Sequence, residues 1–290
     1  MIETLPSGVK IAKLTDLEHI ATNYDMLFFH GDGPISDLVE FIELLTRDNN
    51  KFSHIGMYTT PHLYPDQEDL FNNEIHNVIN NGLILESTAN TDLSGKSDGV
   101  PDLITNKYRI GVQLRHAQQV IQSYYDNSNT YVALARIKNN PWKNSANQTT
   151  LQQLSQIFLN TYHNRYYELN FLNLLASAFV QLRRYRDFAN RLLYGSDKVK
   201  AQPLPDYQLD QNLDHDTVKK IVDNLEDPAN AELLFCSELC AMIYKMIKLI
   251  PEGILPANVV PVDFLHFDLF VELIYIVPDN HLDRVKQQCS

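Results

Sequence analysis

Three residues, distant in the chain, are of the types that together transfer an acyl group. Cys236 opens the segment "CSELCAMIYKMIKLI", His54 lies in "FSHIGMY", and Glu86 ends the apolar run "LILE". A thiol is a strong nucleophile only as a thiolate, and a helix N-terminus or an adjacent imidazolium favours that form. The residues after Cys236 carry helical spacing. Those before it, "DPANAELLF", include Pro228 and Asn230, which suit a turn or a cap. The imidazolium has to be delivered by the fold. The competing reading of Cys236 is a packing residue, because free cysteine is among the most buried residue types. Cys240, one helical turn further on, is read as packing, and Cys289 as a residue of the terminal tail.

The chain has ten histidines. His19, His62, His76, His163, His215 and His281 fall in polar surroundings and read as loop or surface residues. His30, His54, His116 and His266 lie in or beside apolar stretches. His54 has the most suggestive setting, because strand alternation puts it on one face with Gly56 and Tyr58. A glycine beside it leaves room for a substrate or a second backbone. A base histidine also needs an orienting acceptor. Glu86 is a carboxylate closing an apolar strand, and burying it without a partner is costly. Its alternative is a strand that has reached the surface. His30 and Asp32, in "FFHGDGP", suit either a lining of the same pocket or, as the favoured reading, a turn with solvated side chains.

Several elements must position these groups. Apolar runs predict strands at "DMLFFHG" (25–31), "SHIGMYTT" (53–60), "GLILEST" (82–88), "IGVQLRHA", "TYVALARI" (130–137) and finally "LFVELIYIVP" (269–278), which closes the chain. The loops between the early strands are polar. Helical spacing appears in "ISDLVEFIELLTR", in "TTLQQLSQIFLNTYHNRYY" (149–167) and in the long amphipathic segment 171–195, which ends at a glycine. The stretch 196–231 is polar and acidic and reads as a lid. "PEGILPANVVPVDFL" is a proline-punctuated loop. The expectation is a single domain over 1–290 with a helical insertion or lid over 149–230.

The order of these motifs resembles the permuted NlpC/P60 papain-like superfamily, nearest its YiiX-like branch, which has poxvirus relatives. There the histidine strand comes first and the cysteine helix last. The pattern Ser-His-x-Gly-x-Tyr falls on Ser53, His54, Gly56 and Tyr58, the acidic strand end on Glu86, and Cys-Ser-Glu-Leu on Cys236, Ser237, Glu238 and Leu239. The matching segments span roughly 25–137 and 231–277, and the helical block between them matches weakly. The resemblance implies an α+β fold in which a curved antiparallel sheet packs against the cysteine helix. It also implies a Cys236–His54–Glu86 triad forming an acyl-enzyme. Ser53, Gly56, Tyr58, Ser237, His116 and Tyr167 are the residues expected near a substrate, Tyr167 through the segment "YHNRYYELNF".

Composition limits the alternatives. The net charge of −12 disfavours a phosphate backbone as partner, so nucleic acid is not expected. Arg183, Arg184, Arg186 and Arg191 form a basic run that suits either an anionic lipid surface or a solvated helix face. Three cysteines without a CxxC pair argue against a structural zinc site, and the proposed chemistry calls for no cofactor or metal. Free thiols fit a reducing compartment. With no signal-like leader, the expectation is a cytoplasmic protein. The asparagine richness of an AT-rich genome adds host cytosol or virion as options. The function expected is thiol-based hydrolysis of an amide or ester. The alternatives are a lipid acyltransferase, for which a deep apolar channel at Cys236 would speak, and a catalytically silent binding protein, for which a permanently sealed Cys236 would speak.

Overall fold

The apolar runs become strands because their alternate residues can be buried on both faces of one sheet. A computed structural model of the chain describes residues 1–30, 52–71, 82–89, 99–127, 130–163, 235–251, 253–254, 256, 259 and 261–288. The strands are β1 (Glu3–Thr4), β2 (Lys10–Lys13), β3 (Met26–His30), β4 (His54–Thr59), β5 (Leu83–Ala89), β6 (Ile110–His116), β7 (Tyr131–Ile137) and β8 (Phe270–Val277). The helices are α1 (Leu17–Ile20), α2 (Glu68–Phe71), α3 (Ala117–Asn127), α4 (Gln148–Tyr162), α5 (Cys236–Met246), α6 (Asp263–His266) and α7 (Leu282–Gln288).

The eight strands among the described residues join one sheet in the order β1-β2-β8-β7-β3-β4-β5-β6. The fold is α+β, as expected, but the sheet is mixed, because β2 runs parallel to β8. The N-terminal strands were not expected, nor was α7 after the last predicted strand. Nor was α3, which fills the connection between β6 and β7. Its Ala117, Val120, Ile121 and Tyr124 recur at helical spacing, yet in sequence they are diluted by Gln118, Gln119, Gln122 and Ser123.

Helices cover both faces. On one, Leu27, Phe29, Tyr58, Ile84, Val132 and Leu134 pack with Val120, Ile121 and Tyr125 of α3. On the other, Met26, Phe28, Ile55, Met57, Leu83, Leu85, Val112 and Leu114 pack with α4 and α5. Two polar ties fix these helices to Tyr24, just before β3. Tyr244 Oη of α5 donates to Tyr24 O at 2.8 Å, and the Tyr24 hydroxyl bonds Ser155 Oγ of α4. Leu151, Leu154, Phe158 and Tyr162 are fully buried. The first helix of the expected 149–230 insertion is therefore part of the core. The remainder of that segment, like the predicted helices after Pro34 and over 171–195, lies outside the described residues. Among the described residues, no helix is long and apolar enough to cross a membrane.

Candidate active site

β4 carries His54 as its first residue. His54, Ile55 and Gly56 pair with Phe29, Phe28 and Leu27 of β3, whereas the ladder to β5 covers Met57, Tyr58 and Thr59, opposite Leu85, Ile84 and Leu83. Glu86 follows on β5, and its registered partner on β6 is Gln113. Gly56 separates the histidine from the carboxylate. A Cβ at position 56 would stand 2.6 Å from Ile84 Cδ1 and 3.1 Å from Glu86 Cβ. The bare backbone there lets Glu86 lie across β4 and reach the ring, with Oε2 2.6 Å from His54 Nε2.

Cys236 acts on the same ring, both as a neighbouring charge and as a side-chain hydrogen-bond partner of His54. α5 places the thiol there. Phe235 is its N-cap, in extended conformation and with no side-chain cap bond. The caps suggested by Pro228 and Asn230 lie outside the described residues. The first i→i−4 bond of α5 runs from Leu239 N to Phe235 O at 3.0 Å. The amides of Cys236 and Ser237 precede it and have no acceptor within the helix, and they share the positive end of its dipole.

Burial and charge act against each other at this site. His54 is 8% exposed, Cys236 5% and Glu86 0%. Burial alone lowers the pKa of His54, but the Cys236 sulfur and then the Glu86 carboxylate more than offset this and raise it from 6.5 to about 9. Burial pushes Glu86 up, yet Arg115 foremost, and then His54, hold it below the ordinary 4.5. Arg115 donates from Nε to Glu86 Oε1 at 2.7 Å, with Nη2 2.6 Å from the same oxygen, and its Nη1 donates to Val100 O at 3.3 Å. Cys240, fully buried one turn into α5, is driven well above the usual thiol range by burial and by the neighbouring Cys236 and Glu86 charges.

The structure thus brings Cys236, His54 and Glu86 together, with Gly56 between the two strands and Ser53 and Ser237 buried beside them in sequence. It does not bring Tyr58 or His116 to the thiol. Both lie at the other end of their strands, opposite Ile84 and Leu83. The Tyr58 ring sits over Gly82, where a Cβ would meet it at 2.2 Å. Tyr167, Asp32, Cys289 and the Arg183, Arg184, Arg186 and Arg191 run lie outside the described residues.

Two expectations about histidines are corrected. His30 is not solvated but buried at the end of β3, stacked on Tyr131 with ring centroids 4.6 Å apart. His163 is not a surface residue. It is buried with Nε2 3.1 Å from both carboxylate oxygens of Asp102. The residue that sequence reading passed over is Arg115. Its signal was available: Gln113 and Arg115 alternate on one face of the otherwise apolar "GVQLRH", beside a strand with a single acid. Comparison with protein-family models and with curated proteins finds no match for this chain.

Proposed function

We propose that this protein is a thiol enzyme of permuted papain-like type that cleaves an amide or ester through an acyl-enzyme. The observation carrying the reading is the hydrogen-bonded row Cys236–His54–Glu86, with the cysteine as the first residue of a helix. Cys236 Sγ attacks the substrate carbonyl, and His54 takes the thiol proton and returns it to the leaving amine or alkoxide. The carbon–heteroatom bond breaks to give a thioester on Cys236. Glu86 holds the imidazole through Nε2, as the third member of such triads does. The Cys236 and Ser237 amides are placed to receive the negative charge that develops on the carbonyl oxygen. Water, activated by His54, then releases the acid. The order of the elements, histidine strand before cysteine helix, supports the permuted arrangement.

The near-complete burial of the row favours a second reading, in which an acceptor other than water resolves the thioester. One experiment addresses both. Incubating the full chain with p-nitrophenyl esters of short and long acids and following intact mass should show a transient acyl adduct on Cys236. The adduct should be absent from Cys236→Ala and formed far more slowly by His54→Ala. Spontaneous loss of the adduct fits a hydrolase, and loss only on adding an alcohol or amine fits a transferase. No adduct on Cys236 with any ester, together with alkylation no faster than that of Cys240, sinks the proposal.

A further inference from the structure

Glu86 is the one member of the row that a second charged side chain grips. Arg115 sits on the neighbouring strand β6, is 1% exposed and places both Nε and Nη2 on Glu86 Oε1, leaving Oε2 to His54 Nε2. Arg115 is opposite Ile84 rather than Glu86, so its guanidinium reaches diagonally across the ladder. Its third contact, to Val100 O, anchors the far side of the fork. The groups acting on Glu86 are Arg115 from β6 and His54 from β4. Those acting on His54 are Glu86 from β5 and Cys236 from α5. Cys240, also of α5, stays neutral.

With the sulfur as thiolate and the imidazole protonated, these residues form a buried row of alternating sign: Arg115 positive, Glu86 negative, His54 positive, Cys236 negative. The sum is zero. A net charge in so dry a place is strongly disfavoured. Without Arg115 the row would carry −1 and take up a proton, for which the thiolate is a ready acceptor. Without the Glu86 charge it would carry +1 and shed one, for which the imidazolium is the donor. The first change removes the thiolate, whereas the second leaves it beside a neutral imidazole.

We propose that Arg115 is a positioning residue of this row: it fixes Glu86 Oε1, turns Oε2 to His54, and supplies the charge that keeps the reactive form neutral. The inference rests on the thiol-enzyme reading but makes its own prediction. Iodoacetamide alkylation of Cys236 in the full chain at pH 7, read by peptide mass spectrometry with Cys240 as reference, is compared for wild type, His54→Ala, Arg115→Met, Arg115→Lys, Glu86→Gln and Arg115→Met/Glu86→Gln. Circular dichroism checks that each is folded. An uncompensated buried charge moves neighbouring titrations by one or more units, so Arg115→Met should slow alkylation about tenfold or more, whereas Glu86→Gln, which sheds the imidazolium proton and keeps the thiolate, should stay within about threefold of wild type. The double variant, neutral again, should react faster than Arg115→Met. Arg115→Lys keeps the charge but loses the fork, and should react at a rate between those of Arg115→Met and wild type. A purely structural arginine would not give this reversal. An Arg115→Met protein that reacts like wild type, or a double variant no faster than Arg115→Met, overturns the role of Arg115. If Arg115→Met does not fold, Arg115→Gln, also neutral, is measured in its place with the same expectation. A wild type whose alkylation is unaffected by His54→Ala removes the underlying reading instead.

Discussion

At His54, neighbouring groups rather than water decide the protonation state. Its pKa is raised from 6.5 to about 9 in the folded protein, so the folded state holds a proton that the unfolded chain releases between those values. The stabilisation is fully present below about pH 6.5 and is lost as the pH climbs through about 9. Glu86 has the opposite sense. Its folded pKa is depressed below 4.5, so its contribution is present above that pH and fades as the pH falls through the depressed value. At about 1.4 kcal/mol per unit, the His54 shift sets a ceiling of roughly 3 kcal/mol. The expected outcome is a stability gap between wild type and His54→Gln that is widest near pH 5 to 6.5 and narrows above about 9. Urea titrations across pH measure it, and a gap that widened on the alkaline side would contradict the imidazolium. Residue types and their order were enough to single out Cys236, His54 and Glu86 in the sequence. Arg115 was not, because its importance lies in reaching a carboxylate on another strand, and cross-strand register is not written in either strand alone.

At the scale of the element, β4 works because it has no side chain at position 56. Alanine there would bring Cβ to 2.6 Å from Ile84 Cδ1 and 2.8 Å from Ile84 Cγ1, and the β5 residue that must shift is two positions from Glu86. Overpacking of this kind costs about 1–3 kcal/mol. Gly56→Ala should lose about that much stability and also slow Cys236 alkylation, because forcing β4 and β5 apart moves His54 from the thiol. Ile84→Val removes the closest atom, so the double variant should recover part of both losses. Thermal unfolding and alkylation rates give the double-mutant cycle. Strictly additive losses would show that Ile84 is not what the glycine accommodates. The central strands were legible because each is a short apolar run between polar loops. β1 and β2 were not, being two and four residues long and flanked by charge. The parallel pairing of β2 with β8 joins the two ends of the chain and leaves no local trace in sequence.

Across the whole molecule, a second buried ionic network is tied to the same strand as Arg115 but serves a different purpose. Asp102 is fully buried and accepts bonds from Thr105 N at 3.0 Å, Thr105 Oγ1 at 2.7 Å, Leu114 N at 3.1 Å and His163 at 3.1 Å. Burial would raise its pKa, but His163 and these donors hold it below 3.8. It joins the loop before β6, β6 itself and the end of α4, residues spread over more than sixty positions of sequence. Such a node is invisible to a linear reading, which placed His163 at the surface because its neighbours in sequence are polar. Removing the carboxylate strands the buried Leu114 amide and, among the described residues, leaves His163 only Arg109 Nη1, 3.3 Å from its Nε2; losing the partner of a buried polar group costs about 1–3 kcal/mol. Asp102→Ala should therefore lower the urea midpoint by a corresponding amount. Its folded fraction at low denaturant should still alkylate Cys236 at the wild-type rate, because Asp102 is not among the groups acting on His54 or Glu86. Loss of stability with unchanged reactivity separates a network that holds the sheet to α4 from one that holds the thiol to its histidine. Slower alkylation of the folded variant would instead show that β6 transmits strain from Leu114 to Arg115, one residue away.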